Sequence, residues 1–261
     1  MKGLIVVVAF LAIGVFGSRG FCGNYFNTLA PHASLPSDSA CASQIPTTPE
    51  VRPGNAPYNS KSAIPPAFQL QGVHNSPFYG VTPSPVPVSD FARVDGNYSG
   101  STDMILRWAA CKWGIDENTV RAQAVQESHW HQTDKNDWRT TLSQCERGNW
   151  YAWTGTGCDQ TYGILMIKLY NFNASPEAVN STAFNADFRM AYQRACMNGD
   201  VASLRDDTPT DGYPKYPQSD TDTMLWGCMG EWYSGDWYSS DAIGYIGRLK
   251  AAISAKLWLT W

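Results

Sequence analysis

The sequence predicts a mostly α-helical fold with little sheet, preceded by an irregular arm rich in proline. The 261 residues divide by composition. Residues 1–100 hold 12 of the 16 prolines and no tryptophan, whereas residues 101–261 hold all 11 tryptophans and 33 of the 42 charged residues. In the second part apolar residues recur at helical spacing, as at Ile243, Ile246 and Leu249. With 43% hydrophobic residues, a chain of this length can bury a substantial core.

The N-terminus has the pattern of a secretory signal peptide, which we predict over residues 1–17. Lys2 supplies a positive charge, and an apolar run of 13 residues follows from Leu4 to Phe16. A helix of that length spans about 20 Å, less than the roughly 30 Å hydrocarbon core of a bilayer. We therefore expect no stable membrane span after cleavage, and a secreted, periplasmic or cell-wall-associated protein. An uncleaved membrane anchor is the alternative.

Residues 18–90 are predicted to form the arm or linker, and residues 91–261 the folded domain. Pro83, Pro85 and Pro87 alternate with small residues, which favours extended backbone. Two interpretations of the arm stay open at this point. It can be a spacer that lets the domain reach a polymer, or a segment that packs on the domain.

The seven cysteines are an odd number, and a secreted chain is free to form disulfides. We expect Cys111, inside an apolar helix, to be a buried free thiol. The pairs expected are Cys22 with Cys41, Cys145 with Cys158, and Cys196 with Cys228. No Cys-x-x-Cys motif occurs, so the cysteines do not indicate a zinc site.

Capping residues and periodicity predict five helices in the folded domain. Asp116 can cap the second helix, while Gly114 ends the first and Asn198-Gly199 closes the third. A short apolar run from Tyr162 to Leu169 suits a strand or a buried turn. The predicted helices run from Thr102 or Asp103 to about Trp113, Glu117 to about Trp130, Thr182 to Met197, Thr223 to Tyr233 and Asp241 to Trp258.

The charge pattern excludes some functions. A formal net charge of −4 argues against a nucleic-acid-binding protein, which needs basic residues to neutralise phosphates. Only four histidines are present, which argues against a histidine-rich metal centre. We expect neither a metal nor another cofactor.

Glu127 stands out because the helical pattern places it on an apolar face. Val120, Ala124 and Glu127 have the spacing i, i+4 and i+7. Burial of a carboxyl group raises its pKa, here from about 4.3 toward roughly 6. A carboxylic acid that keeps its proton near neutral pH can protonate a glycosidic oxygen. The alternative is a solvent-facing residue at the helix end, or one paired with a buried arginine.

Three stretches resemble lytic transglycosylases of the soluble-transglycosylase type (glycoside hydrolase family 23, akin to goose-type lysozyme). Glu127-Ser128 matches the family's catalytic Glu followed by Ser at a helix end. Gly163-Ile164-Leu165 matches a Gly-Leu-Met-Gln-Ile stretch, although Met166 stands where the family has Gln. The segment 231–235 resembles an Ala-Tyr-Asn-x-Gly stretch and precedes a helix with Tyr245. The resemblance covers about residues 100–261.

The resemblance implies a lysozyme-like α+β catalytic domain that acts on peptidoglycan. It implies Glu127 as the catalytic acid and a tyrosine that approaches it, which is Tyr233 if the third stretch is aligned on Tyr. Aligning the stretch on Gly235 places Trp232 there instead. The substrate-binding residues that follow from the matched positions are Ser128, Tyr162, Gly163, Ile164 and Tyr233.

The implied function is a lytic transglycosylase that cleaves the bond between N-acetylmuramic acid and N-acetylglucosamine, leaving 1,6-anhydro ends. Peptidoglycan strands are the implied partner, and we expect a monomer. One alternative is an inverting muramidase or a chitinase, which needs a second carboxylate. Another is a secreted glycan-binding protein without catalysis. The candidates for a second carboxylate are Asp134, Asp137, Glu146 and Asp159.

Overall fold

A computed structural model describes residues 25–63, 86–145, 154–168 and 177–260. The predicted signal peptide, Cys22, Pro83 and Pro85, and Glu146 lie outside these residues. Within them the chain is mostly helical and carries a small antiparallel sheet, which confirms the predicted fold class.

Eight α-helices and three short strands are numbered here in chain order over the described residues. The helices are α1 (Asp38–Gln44), α2 (Thr102–Trp113), α3 (Glu117–Ser128), α4 (Leu142–Cys145), α5 (Glu177–Asn180), α6 (Thr182–Met197), α7 (Thr221–Ser234) and α8 (Ser240–Ala255). The strands are β1 (Lys135–Asn136), β2 (Thr161–Tyr162) and β3 (Ile167–Lys168). Short 3₁₀ helices cover Pro53–Tyr58, Lys61–Ala63, Val88–Phe91, Ala202–Arg205 and Leu257–Leu259.

Side-chain caps fix the starts of the long helices. Ser101, rather than Thr102 or Asp103, caps α2 by accepting a hydrogen bond from the Met104 amide. Asp116 caps α3 as predicted. Gly114 ends α2 in the left-handed conformation, which costs glycine little. The five predicted long helices are therefore confirmed, with ends shifted by a few residues.

Helix α6 lies at the centre of the core, because all 16 of its residues are buried. It packs against α2, α5 and α7, while α3 packs against α2 and α8. This arrangement brings the end of α3 near α7 and α8. The side chains of the candidate site project into the space between these three helices.

The apolar run after Tyr162 forms two strands of a hairpin rather than one strand. The sheet has the order β1-β2-β3, and Tyr162 pairs with Lys135 on one side and Ile167 on the other. A tight turn over residues 163–166 separates β2 from β3, with positive φ at Gly163 and Met166. A single-strand interpretation fails because the turn reverses the chain within the apolar run.

The described part of the arm packs on the domain. Phe26 is buried in the core, and α1 contacts α2. The Lys112 ammonium, fully buried, lies 3.0 Å from Asp38 of the arm and 2.9 Å from both Asp95 and Asp187. Opposite charges that surround a buried ammonium offset its desolvation. The wrapping interpretation holds for residues 25–63.

The disulfides contradict two sequence predictions and confirm two. Cys41 of α1 is bonded to Cys111 of α2, so Cys111 is not a free thiol and Cys22 does not pair with Cys41. The sequence offered no sign that the arm packs on α2, which is what places the two sulfurs together. The Cys145–Cys158 and Cys196–Cys228 pairs form as predicted.

Over the residues that the structure describes, none of the helices combines the length and the apolar composition of a transmembrane span.

Candidate active site

A cavity of about 290 Å³ opens where α3, the hairpin and the end of α7 meet. Acidic, aromatic and hydroxyl side chains share its surface. Its walls are formed by Glu127, Asn136, Asp137, Thr161, Met166, Lys168, Tyr192, Glu231, Trp232, Tyr233, Ser234 and Gly235. Helices α3, α6 and α7 and the three-stranded sheet therefore contribute to one concave site, although they lie far apart in the sequence. Such a site is typical of ligand pockets.

Glu127 occupies the last turn of α3 and faces this cavity. Val120 and Ala124, on the same helical face, are completely buried, as the sequence pattern predicted. Glu127 itself is partly exposed because its carboxyl group lies on the cavity surface. The backbone of His129 then turns left-handed and ends the helix directly after Glu127-Ser128.

Burial raises the pKa of Glu127 to about 7. A hydrogen bond from the Tyr245 hydroxyl and the positive charges of Arg189 and Arg248 oppose this rise, while the charge of Asp137 adds to it. At neutral pH the carboxyl group is therefore divided between its protonated and ionised forms. Such a group can both donate and accept a proton.

Tyr245 of α8, and not Tyr233, is the tyrosine that reaches Glu127. Its hydroxyl donates to Glu127 Oε1, and its side chain is buried. Tyr233 stacks on Tyr245 with ring centroids 4.8 Å apart, and 54% of Tyr233 is exposed at the cavity rim. The difference arises from packing. Tyr245 faces α3 from α8, whereas Tyr233 lies on the outer side of the Tyr245 ring.

Ser128 and Ile164 lie beneath the cavity rather than on its surface. The Ser128 hydroxyl, buried, donates to the Ile164 carbonyl at 2.9 Å, and Ile164 is completely buried. Neither residue lines the cavity, so their predicted contact with substrate is not seen in the lining. Their hydrogen bond instead joins the end of α3 to the hairpin turn and fixes the position of Glu127 relative to it.

Gly163 and Tyr162 also shape the hairpin rather than line the cavity. A Cβ on Gly163 would lie 2.2 Å from Asn185 Nδ2, so this turn needs glycine. Asn185 Nδ2 donates to the Tyr162 carbonyl, and its Oδ1 accepts from the Leu165 amide. The turn is thereby attached to α6. The side chains that the hairpin presents to the cavity are those of Thr161, Met166 and Lys168.

Met166, at the position where the family has Gln, lies at the cavity surface. It is largely buried, and its backbone has a φ of 48°. A thioether accepts hydrogen bonds only weakly. This wall of the cavity is therefore less polar than an amide would make it.

A second acid, Glu231 of α7, lines the same cavity. Its Oε1 accepts a hydrogen bond of 2.7 Å from the Tyr192 hydroxyl, and burial raises its pKa to about 7. Arg189 is completely buried below it, with its guanidinium 4.2 Å from the Trp232 ring centroid. Burial lowers the pKa of Arg189 to about 10, so it keeps its positive charge at neutral pH.

The acids considered for a second catalytic carboxylate differ in position, because only one of those that the structure describes lines the cavity. Asp137 lines the cavity, and its Oδ2 lies 3.7 Å from Lys168 Nζ. Asp134 and Asp159 are not among the lining residues. Asp134 lies 3.9 Å from His131, and Asp159 lies 4.0 Å from Lys135.

Comparisons with family models, with curated proteins and with solved structures find no match to this chain. The site is therefore interpreted from its own geometry. Over the described residues no group of three or more His, Cys, Asp or Glu side chains is placed to hold a metal ion.

Sequence reasoning missed the roles of Tyr245, Glu231 and Arg189. Tyr245 and Glu231 belong to the stretches that were compared with the family, but nothing in their spacing marks a contact with Glu127 or with Tyr192. Arg189 had a weak signal, since it lies between Phe188 and Met190 in a helix that is otherwise rich in apolar residues.

Proposed function

We propose that this chain is a lytic transglycosylase that cleaves peptidoglycan between N-acetylmuramic acid and N-acetylglucosamine. The observation that carries the proposal is the Glu127 carboxyl group, which lies at the end of the apolar face of α3, opens onto a cavity and keeps a proton to near neutral pH. The sequence resemblance supplies the substrate class. The lysozyme-like character of the helical fold and a secreted, periplasmic or wall-associated location belong to the same proposal.

In the proposed reaction Glu127 acts first as general acid. It transfers its proton to the glycosidic oxygen as the bond from that oxygen to the sugar C1 breaks. The acetamido group of the same sugar stabilises the positive charge at C1. The Glu127 carboxylate then takes the proton of the 6-hydroxyl, whose oxygen bonds to C1 and forms the 1,6-anhydro ring. One carboxyl group serves both steps, without a cofactor.

The other residues have supporting roles in this proposal. The Tyr245 hydroxyl holds one carboxyl oxygen of Glu127 and leaves the other for the substrate. Tyr233, exposed and stacked at the rim, offers an aromatic face to a sugar ring. Ser128, Tyr162, Gly163 and Ile164 keep the hairpin wall in place beside the glycan strand.

An inverting muramidase or chitinase is the second candidate, because Asp137 lines the same cavity as Glu127. In that reaction Asp137 would activate a water molecule, and the product would have a reducing end. A glycan-binding protein without catalysis is the third candidate, and Met166 is the residue that favours it.

One digest separates these candidates. Purified peptidoglycan is treated with the wild type and with Glu127→Gln, Asp137→Asn and Asp134→Asn, and the products are identified by mass spectrometry. The proposal requires 1,6-anhydro products, their loss in Glu127→Gln, and full activity in Asp134→Asn, the matched acid outside the cavity. Reducing ends that disappear in Asp137→Asn indicate a muramidase. Binding without any product indicates the non-catalytic protein.

A further inference from the structure

Two consecutive residues directly after Glu127-Ser128 adopt the left-handed backbone conformation. The φ angle is 51° at His129 and 67° at Trp130, and neither residue is glycine. Positive φ is uncommon for residues with a side chain and an outlier for a bulky one such as tryptophan. Such a conformation persists only where the surrounding structure enforces it, and it is found preferentially at functional sites. The turn that follows α3 therefore needs contacts that stabilise it.

The arm supplies these contacts from its 3₁₀ helix Pro53–Tyr58. Asn55 of that helix is only 1% exposed, and its Nδ2 donates to the Trp130 carbonyl at 2.7 Å. Its Oδ1 accepts from the Gln132 amide at 2.9 Å. The same Nδ2 donates to Thr102 Oγ1 at 2.9 Å, at the start of α2. One buried amide group of the arm is therefore bonded to two backbone groups of the turn and to α2.

The turn in its left-handed form closes the last turn of α3. The His129 and Trp130 amides donate back to carbonyl groups of α3 at 3.1 and 3.2 Å. The last carbonyl groups of a helix have no partner within the helix, so its final turn frays unless other contacts stabilise it. Arg52 of the arm also donates from Nε to the His129 carbonyl at 3.0 Å. The turn that contains Glu127 therefore depends on contacts from the arm.

Gln132 connects the same turn to the hairpin wall of the cavity. Its buried side chain accepts from the Ile164 amide at 3.1 Å and donates to two carbonyl groups of α5 at 2.9 and 3.0 Å. The Ser128 hydroxyl bonds the Ile164 carbonyl from the other side. Asn55 therefore anchors one end of a hydrogen-bond network that fixes Glu127 relative to the hairpin.

We propose that Asn55 is a positioning residue for Glu127 and that the arm thereby completes the active site. The Asn55 amide group stabilises the left-handed turn, and the turn keeps the end of α3, with its carboxyl group, beside the hairpin wall. Asn55 is not among the residues that line the cavity, so it acts through the turn and does not contact the reacting atoms. The catalytic part of this inference rests on the proposed function, whereas the effect on the turn exists without substrate.

Asn59 provides a matched control in the same part of the arm. It is also a buried asparagine, and its Nδ2 donates to Glu50 Oε2 at 2.7 Å and to Thr102 Oγ1 at 3.2 Å. Among the described contacts it makes no hydrogen bond to residues 129–132. Alanine at either position removes a contact between the arm and Thr102, but only alanine at Asn55 removes the bonds to the turn.

Amide hydrogen exchange, measured by NMR on the full chain, reports the state of the turn without substrate. In Asn55→Ala, the amides of residues 127–130 should exchange about 10-fold faster or more, relative to the amides in the middle of α3. In Asn59→Ala this ratio should stay as in the wild type. Because both variants lose contacts of the arm, the comparison separates a local effect on the turn from a general loss of stability.

Kinetics on soluble peptidoglycan fragments test the position of the catalytic group. In Asn55→Ala, kcat should fall about 10-fold to 100-fold with KM nearly unchanged, because a misplacement of about 1 Å can cost a factor of about 100. In Asn59→Ala, both constants should stay close to those of the wild type at a temperature at which both variants are folded. A residue that only stabilises the fold would affect the two variants alike.

Arg52→Ala is the second variant, and it replaces Asn55→Ala in both measurements if that protein does not fold. The Arg52 side chain is partly exposed and donates one hydrogen bond to the turn, so a similar but smaller effect is expected. Exchange at residues 127–130 that matches Asn59→Ala overturns the inference. A wild-type kcat in a variant with the loosened turn overturns it as well. A selectively loosened turn in a chain whose wild type cleaves no peptidoglycan refutes the proposed function and supports the role of Asn55 in the turn.

Discussion

The Tyr245 hydroxyl donates a hydrogen bond to Glu127 Oε1 and so joins α8 to α3 across the cavity. Tyr233 stacks on the Tyr245 ring with an interplanar angle of 4°, and the Arg248 guanidinium lies 5.3 Å from that ring centroid. The Tyr245 ring is therefore held by an aromatic face and a cation. The orientation of the Glu127 carboxyl group therefore depends on these contacts as well as on α3.

Tyr245→Phe should slow cleavage about 10-fold to 100-fold. A hydrogen bond to a charged group contributes about 1.5–3 kcal/mol, and about 1.4 kcal/mol corresponds to a factor of ten in rate. Because the lost donor stabilises the ionised form, the pKa of Glu127 should rise, and the alkaline limb of the pH–rate profile should move to higher pH. The measurement is kcat/KM on peptidoglycan fragments from pH 5 to 9.

Tyr233→Phe is the control for this change. It keeps the stacked ring and removes a hydroxyl that makes no hydrogen bond to Glu127 among the described contacts. The pH profile should stay as in the wild type. Equal shifts in the two variants would show that the hydroxyl of Tyr245 has no special role.

Gly163→Ala should destabilise the fold far more than Gly155→Ala. Both glycines have a positive φ, 83° and 92°, so the backbone strain of an alanine is similar at the two positions. Only at Gly163 does the added Cβ meet another group, at 2.2 Å from Asn185 Nδ2, whereas nothing lies within 4 Å at Gly155. Urea unfolding should give a loss of about 1 kcal/mol for Gly155→Ala and about 3 kcal/mol or more for Gly163→Ala.

The same comparison can fail in an informative way. If both variants lose the same stability, strain alone explains the cost and the Asn185 contact does not hold the hairpin. If Gly163→Ala is folded, it should also lose cleavage activity, because Met166 lies in this turn, Lys168 follows it, and both line the cavity.

The sequence predicted the helices well because their signals are local. Asp116, Gly114 and the apolar spacing around Ile246 act within a few residues, and the observed helices begin and end near the predicted positions. The prediction that Glu127 faces inward rested on the same kind of local signal. Its apolar helical face is a property of α3 alone.

Contacts between distant elements could not be predicted in this way. Cys41 pairs with Cys111 because α1 packs on α2, and Glu127 accepts from Tyr245, 118 residues away, because α8 packs on α3. The alignment of the third stretch pointed to Tyr233 as the tyrosine near Glu127. In the structure Tyr233 lies on the side of the stacked pair that faces away from Glu127. Such contacts depend on how a helix is rotated about its axis and on which elements pack together. The spacing of residues in the sequence specifies neither.

The Cys41–Cys111 disulfide should contribute more to stability than the Cys145–Cys158 disulfide. In the chain-entropy treatment, a bridge over a sequence separation of 70 contributes about 4 kcal/mol and one over 13 about 3 kcal/mol. Replacing each pair by alanines and measuring urea unfolding gives the two losses. A smaller loss for the Cys41–Cys111 pair would mean that Phe26 and the Lys112 ion pairs hold the arm without it.

Glu127→Gln should make the fold relatively more stable as the pH rises from about 4.5 to 7. The pKa of Glu127 is about 7 in the native state, against an ordinary value of 4.5. Between these values the native state holds a proton that the unfolded chain has released, so unfolding becomes easier as the pH increases, by at most about 1.4 kcal/mol per pH unit for one such group. Glutamine has no proton to release and removes this dependence.

The measurement is urea unfolding of the wild type and Glu127→Gln at pH 4.5, 6 and 8, compared as a difference between the two proteins. Taking the difference cancels acids that keep their titration in both, including Asp90, whose pKa burial raises to about 6. A flat difference for Glu127→Gln would mean that Glu127 ionises as in the unfolded chain and is not the acid that the cavity keeps protonated.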